Sequence, residues 1–75
     1  MARRHAALTR FGGNVRKRRE TLDITQESLA EKAELDQTYI SGIENGDRNP
    51  TILSSLRIAK ALKVSIADLC DGIDR

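Results

Sequence analysis

The sequence predicts an all-α fold: five helices in one small domain, with no strands. Three observations carry this. Thr25, Asp36 and Ser65 are each of N-cap type, with an apolar residue just before and another four positions after: Ile24 and Leu29, Leu35 and Ile40, Val64 and Leu69. Such pairs form hydrophobic staples across helix starts. Between these caps, apolar residues recur at three- and four-residue steps. Finally, 75 residues, 39% apolar and 32% charged, suit one globular domain with a limited core and not a disordered chain.

A loose basic arm is expected over residues 1–6, and the single domain over 7–75. The first helix should span about 7–21, with Leu8, Phe11, Val15 and Leu22 on one apolar stripe. Gly12 and Gly13 each weaken it by about 1 kcal/mol relative to Ala, which predicts fraying of its first turns. A glycine here also permits close helix packing. Thr25 opens a second helix over about 26–33, where Leu29, Ala30 and Ala33 share a face. Asp36 opens a third over about 37–44, where Ile40 and Ile43 do the same. Only residues 34–36 lie between them, the spacing of a helix-turn-helix. Gly46 should end the third helix in the left-handed conformation. Thr51 caps a fourth helix over about 52–62, with Ile52, Leu56, Ala59 and Leu62 on its stripe and Leu53 and Ile58 off it. Ser65, in a capping box with Asp68, opens a fifth over about 66–71, ended by Gly72.

The third helix keeps a polar face that a small core does not use: Gln37, Thr38, Ser41, Glu44 and Asn45, with Gly42 as a gap. Short amide and hydroxyl side chains suit base edges in a major groove. Gln can pair bidentately with adenine, and Thr can touch a thymine methyl. Charge is unevenly spread although the net value is only +2: residues 1–19 hold seven Lys/Arg and no acid, and residues 20–47 hold eight acids against Lys32 alone. A basic N-terminal third is a candidate phosphate-contacting surface.

Other classes find no support. No apolar run approaches a membrane span of about 18 residues, and MARRHAALTRFGG lacks the apolar core of a secretory signal. The lone Cys70 cannot form an internal disulfide, which fits a reducing, cytoplasmic location. One Tyr, one Phe and no Trp argue against a stacking platform for single strands. His5 and Cys70 stand apart, with no metal spacing, phosphate loop or nucleophile motif, so no enzyme, metal or cofactor is expected.

Thr25 to Thr51 resembles the helix-turn-helix of the phage repressor and Cro superfamily, the Xre family. The run LDQTYISGIENGDRNPT, from Leu35 to Thr51, is most similar to the controller proteins of restriction-modification systems. With the flanking helices, the resemblance covers roughly residues 7–71. It implies a compact lambda-repressor-like domain that enters the major groove of double-stranded DNA. Gln37, Thr38 and Ser41 would read bases. Gln26, at the positive end of the second helix, would hold a phosphate. Tyr39, Asn45, Arg48 and Asn49 would grip the backbone, with Arg16 or Arg10 from the first helix. Arg19 would form a structural ion pair with Glu44.

Leu53, Ile58, Ile66, Cys70 and Ile73 exceed what one small core needs. They are read as a homodimer face, in the region where subunits of the family usually meet. The implied function is an autoregulatory transcription regulator, of controller or phage/plasmid repressor type, on an inverted repeat with half-sites about 34 Å apart. RNA polymerase becomes a partner if it activates. An antitoxin-type interaction module that also binds DNA is the second reading. One departure stands out: controller proteins often carry Arg where Gln37 stands, and no Lys or Arg occurs from Ala33 to Asp47. Readout should then lean toward adenine, thymine and DNA shape.

Overall fold

The computed structural model describes residues 5–75, which form α1 (Ala6–Thr21), α2 (Gln26–Ala33), α3 (Gln37–Glu44), α4 (Ile52–Ala61) and α5 (Ile66–Leu69). No strand occurs among the described residues. Of the expected arm, residues 1–4 lie outside those described. His5 is instead the cap of α1, its Nδ1 accepting from Ala7 N at 3.1 Å, so the helix starts one residue earlier than expected.

The other caps follow one pattern. Thr25 accepts from Ser28 N at 3.0 Å, Asp36 from Thr38 N at 3.2 Å and Thr51 from Ser54 N at 3.0 Å. Ser65 and Asp68 complete the reciprocal capping box, both bonds at 3.0 Å. Each cap satisfies a helix-start N–H that has no intrahelical acceptor.

Three of the joints share a device that composition does not announce. Asp23, Glu34 and Lys63 take left-handed backbone, with φ of 58°, 57° and 59°. Each is followed by an apolar residue whose N–H bonds back to the helix just ended: Ile24 to Arg19 O, Leu35 to Ala30 O and Val64 to Ala59 O. These are Schellman closures. The apolar residue that closes one helix is also the staple residue that opens the next, so the turn between α2 and α3 can be three residues long. Left-handed backbone costs a non-glycine residue roughly 1–2 kcal/mol, which the satisfied carbonyls and the buried apolar contact offset. At the end of α3, Gly46 fills the same role with φ 78°.

α1 packs on α3 and α5, α2 on α3 and α4, and α4 on α5. Val15, Leu29, Ile40, Ile43, Ile58, Leu62 and Leu69 are fully buried where these elements meet. The glycines do not fray α1, which is continuous from Ala6. Gly12 is the point of contact with α3: a Cβ there would overlap the carbonyl oxygen of Ile43 and stand 2.8 Å from that of Glu44. Gly13 faces open space.

α4 departs from its expected phase. Ile52 and Leu56, assigned to the core stripe, are 71% and 46% exposed, whereas Ile58, assigned to a dimer face, is 0% exposed. The buried face of α4 is Ser55, Ile58, Ala59 and Leu62. That set also has i, i+3, i+4, i+7 spacing. The helix carries two overlapping apolar stripes, and packing against α2 selects the one that contains a serine. Ile58 is therefore a core residue and is unavailable to a partner. α5 is also shorter than expected, ending at Leu69 with Cys70 as its cap. Turns bonded Asp71 N to Asp68 O and Ile73 N to Cys70 O carry the chain onward.

Candidate nucleic-acid interface

α3 presents two unlike faces. Ile40 and Ile43 are buried, and Glu44 joins them at 5% exposure. On the other side Gln37 and Thr38 are exposed and Ser41 is half-buried. Eight residues make a helix about 12 Å long, comparable to a major groove about 12 Å wide.

Glu44 holds this helix in place. Its carboxylate accepts from Arg19 Nε at 2.7 Å and Nη2 at 3.1 Å, from Gln26 Nε2 at 3.0 Å and from Arg16 Nε at 3.3 Å. Burial pushes the carboxyl pKa up, but the donors from Arg19, Gln26 and Arg16 outweigh it and leave the group below its ordinary value. The same hydrogen bonding to Glu44 raises Arg19. Arg19 turns its remaining nitrogen to Ile24 O at 2.9 Å, so each nitrogen of its guanidinium donates inside the molecule. This network joins α1, α2 and α3 through one anion.

Two of the residues expected at phosphates belong to that network. Arg16 also donates from Nη2 to Asn45 Oδ1 at 3.0 Å and remains 46% exposed. Among the described residues, its Nη1 has no hydrogen-bond acceptor. Gln26 spends one of the two N–H groups of its amide on Glu44 and keeps the other. The anchoring therefore orients both side chains without exhausting their donors. The family resemblance implies a pairing of Glu44 with Arg19 alone. Helical spacing places residues on one element, and it carries no information on which side chains of α1 and α2 converge on a residue of α3.

At the other end of the site, Tyr39 is half-buried against the core, and its hydroxyl accepts from Thr51 N at 3.4 Å. The Arg48 guanidinium lies 6.0 Å from the Tyr39 ring centroid, within cation–π range. The aliphatic part of Arg48 occupies the space that Gly42 leaves, where a Cβ would overlap its Cγ. Asn49 is exposed beside it. Arg10, the alternative phosphate contact, is turned the other way, donating from Nε to Asp71 O at 3.1 Å.

Of the expected dimer residues, Leu53 is 70% exposed, Ile66 is half-buried, and Cys70 and Ile73 are half-buried against the core. The exposed apolar patch is Ile52, Leu53 and Leu56 on α4. Among the described residues, no group of three or more His, Cys, Asp or Glu could hold a metal ion. No helix there is long and apolar enough to cross a membrane.

Comparison with known proteins agrees with this geometry. The family model described as helix-turn-helix matches residues 15–69. The chain is 39% identical over 67 residues to the control protein C.MunI of Mycoplasma sp., covering 88% of this chain and 90% of that one. The crystal structure of the restriction-modification controller protein C.AhdI from Aeromonas hydrophila superposes with a TM-score of 0.84 at 36% identity, covering 85% of this chain and 97% of that chain. A mutant of C.Esp1396I bound to its highest affinity operator site superposes at 0.80 with 39% identity, covering 92% and 91% of the two chains.

Proposed function

The chain belongs to the helix-turn-helix family of the restriction-modification control proteins, and on that premise we propose that it is a transcription regulator that reads an inverted-repeat operator as a homodimer. The observation that carries this reading is the two-sided α3: one face locked by Ile40, Ile43 and Glu44, the other presenting Gln37, Thr38 and Ser41. Gln37 and Thr38 stand in the first turn, the part of a recognition helix that enters the groove first. Gln26, Arg16, Asn45, Tyr39, Arg48 and Asn49 surround this face and hold the backbone, which fixes register; the α3 side chains supply sequence.

Size supports two copies. The domain extends 30 Å along its longest axis, whereas successive major grooves on one face of a duplex are about 34 Å apart. A single copy reaches one half-site, and Ile52, Leu53, Leu56 and Ile66 provide the apolar surface for a second. We read the protein as a cytoplasmic binding protein and not an enzyme, its switch being concentration through dimerisation. Contact with RNA polymerase belongs to this reading only if it activates.

Selection from random duplex DNA at ~0.15 M salt, where exposed charges are already screened, tests the proposal. Recovery of an inverted repeat with centres one helical turn apart is the expected result. Binding without enrichment, vanishing as salt rises, would reduce it to non-specific phosphate attraction.

A further inference from the structure

α1 makes polar contacts in two directions. Arg16 and Arg19 reach Glu44 at the end of α3. Arg10, Asn14 and Arg18, four residues apart and hence on another stripe, reach the ends of the last two helices. Arg18 Nε donates to Leu62 O at 3.0 Å. Asn14 Nδ2 donates to Leu69 O at 2.8 Å and to Asp71 O at 2.9 Å, and Arg10 Nε joins it on Asp71 O at 3.1 Å. Carbonyls at helix C-termini lack intrahelical donors, and a guanidinium there meets the negative end of the dipole. The fit is close: Gly72 has φ 78°, and a Cβ on it would stand 2.7 Å from Arg10 Nε.

These contacts matter because α5 is only four residues long and Leu69 is its one buried residue. With Cys70 and Ile73 only half-buried beside it, one fully buried anchor leaves rotation about itself weakly determined. The bonds from α1 remove that freedom. α1 is continuous, and Gly12 brings it directly onto the backbone of α3. One rigid helix thus joins the recognition helix on one side to the α4–α5 surface on the other.

We infer that α1 fixes the angle between the recognition helix and the partner-facing surface, with Asn14 as the positioning residue at its centre, and so sets the half-site spacing that the dimer accepts. Asn14 is the pivotal rung because both hydrogens of its amide are used, one on each of two carbonyls that flank the end of α5. The inference rests on the dimeric reading above.

The test uses duplexes recovered by selection, resynthesised with the half-site spacing shortened or lengthened by one base pair, and a duplex bearing one half-site. The full chain is compared with Asn14→Ala, with Asn14→Asp (isosteric but without N–H donors) and with Arg18→Met. All three are expected to keep helical circular dichroism and the single-half-site affinity of the unaltered chain. Their preference for the selected spacing should fall by about fivefold or more, the scale of a typical coupling between sites. Unchanged spacing preference in the folded Asn14 variants would overturn the inference and leave the contacts a purely stabilising role. An unaltered chain that binds as a monomer, indifferent to spacing, would instead overturn the dimeric reading, and the inference with it. If Asn14→Ala fails to fold, Asn14→Asp and Arg18→Met give the same decision.

Discussion

Glu44 receives donors from three side chains on two other helices while its own side chain is wholly buried. Removing one partner of such a group strands the rest, so Glu44→Ala should cost about 3–5 kcal/mol in urea unfolding. Its pH dependence follows from direction. The folded-state pKa lies below the ordinary 4.5, so the folded form favours the deprotonated group. That contribution is complete above the unfolded value and is lost as pH falls through the lower folded one. Unfolding midpoints measured between roughly pH 6 and pH 3 should therefore drop for the unaltered chain, and drop less steeply for Glu44→Gln. On the outer face, Gln37→Ala should cost about 1–3 kcal/mol at one base pair and relax preference there. Arg48→Ala should instead weaken all sequences alike and lower the salt slope by about one ion. Identical behaviour of these two variants in binding isotherms would dissolve the distinction between base and phosphate contacts.

Adjacent glycines in α1 separate packing from propensity at the level of the element. Gly12 touches the backbone of α3 and Gly13 touches nothing within 4 Å. Gly13→Ala should stabilise the protein by about 1 kcal/mol through helix propensity. Gly12→Ala gains the same propensity but forces two helix backbones apart, an overpacking that costs about 1–3 kcal/mol. The obstructing atoms are main-chain oxygens that cannot rotate away, so the net effect is loss. Thermal melts of the two variants should move in opposite directions. The same close approach carries the recognition helix, so Gly12→Ala should also weaken operator binding, whereas Gly13→Ala should not.

For the whole molecule the question is what covers α4. Ile52 and Leu53 are 71% and 70% exposed and adjoin Leu56 at 46%, on a domain with few aromatic residues and a small core. Contiguous exposed apolar surface of this kind marks interaction sites. Leu53→Glu should leave the fold intact, because the side chain is outside the core. On the dimeric reading, it should shift the protein to monomer in sedimentation velocity. Operator affinity should then fall toward that of a single half-site, since the second recognition helix no longer binds as part of the same body. A Leu53→Glu chain that remains dimeric would move the interface away from α4.

Much of this was legible from local chemistry. The caps Thr25, Asp36, Thr51 and Ser65, the three-residue turn before α3 and the polar face of Gln37, Thr38 and Ser41 depend on neighbours within about four residues. Their spacing is therefore written in the chain. Three things were not. Which of two apolar stripes on α4 faces inward, and hence that Ile58 is core and Ile52 and Leu56 are surface, depended on α2. That Glu44 gathers Arg16 and Gln26 as well as Arg19 depended on three helices meeting. That Arg10 and Asn14 serve the end of α5 depended on bringing together residues more than fifty positions apart. Periodicity determines that a helix has an apolar face, but only packing against a distant segment chooses among faces, and a hydrogen bond between remote residues exists only once the core has placed them.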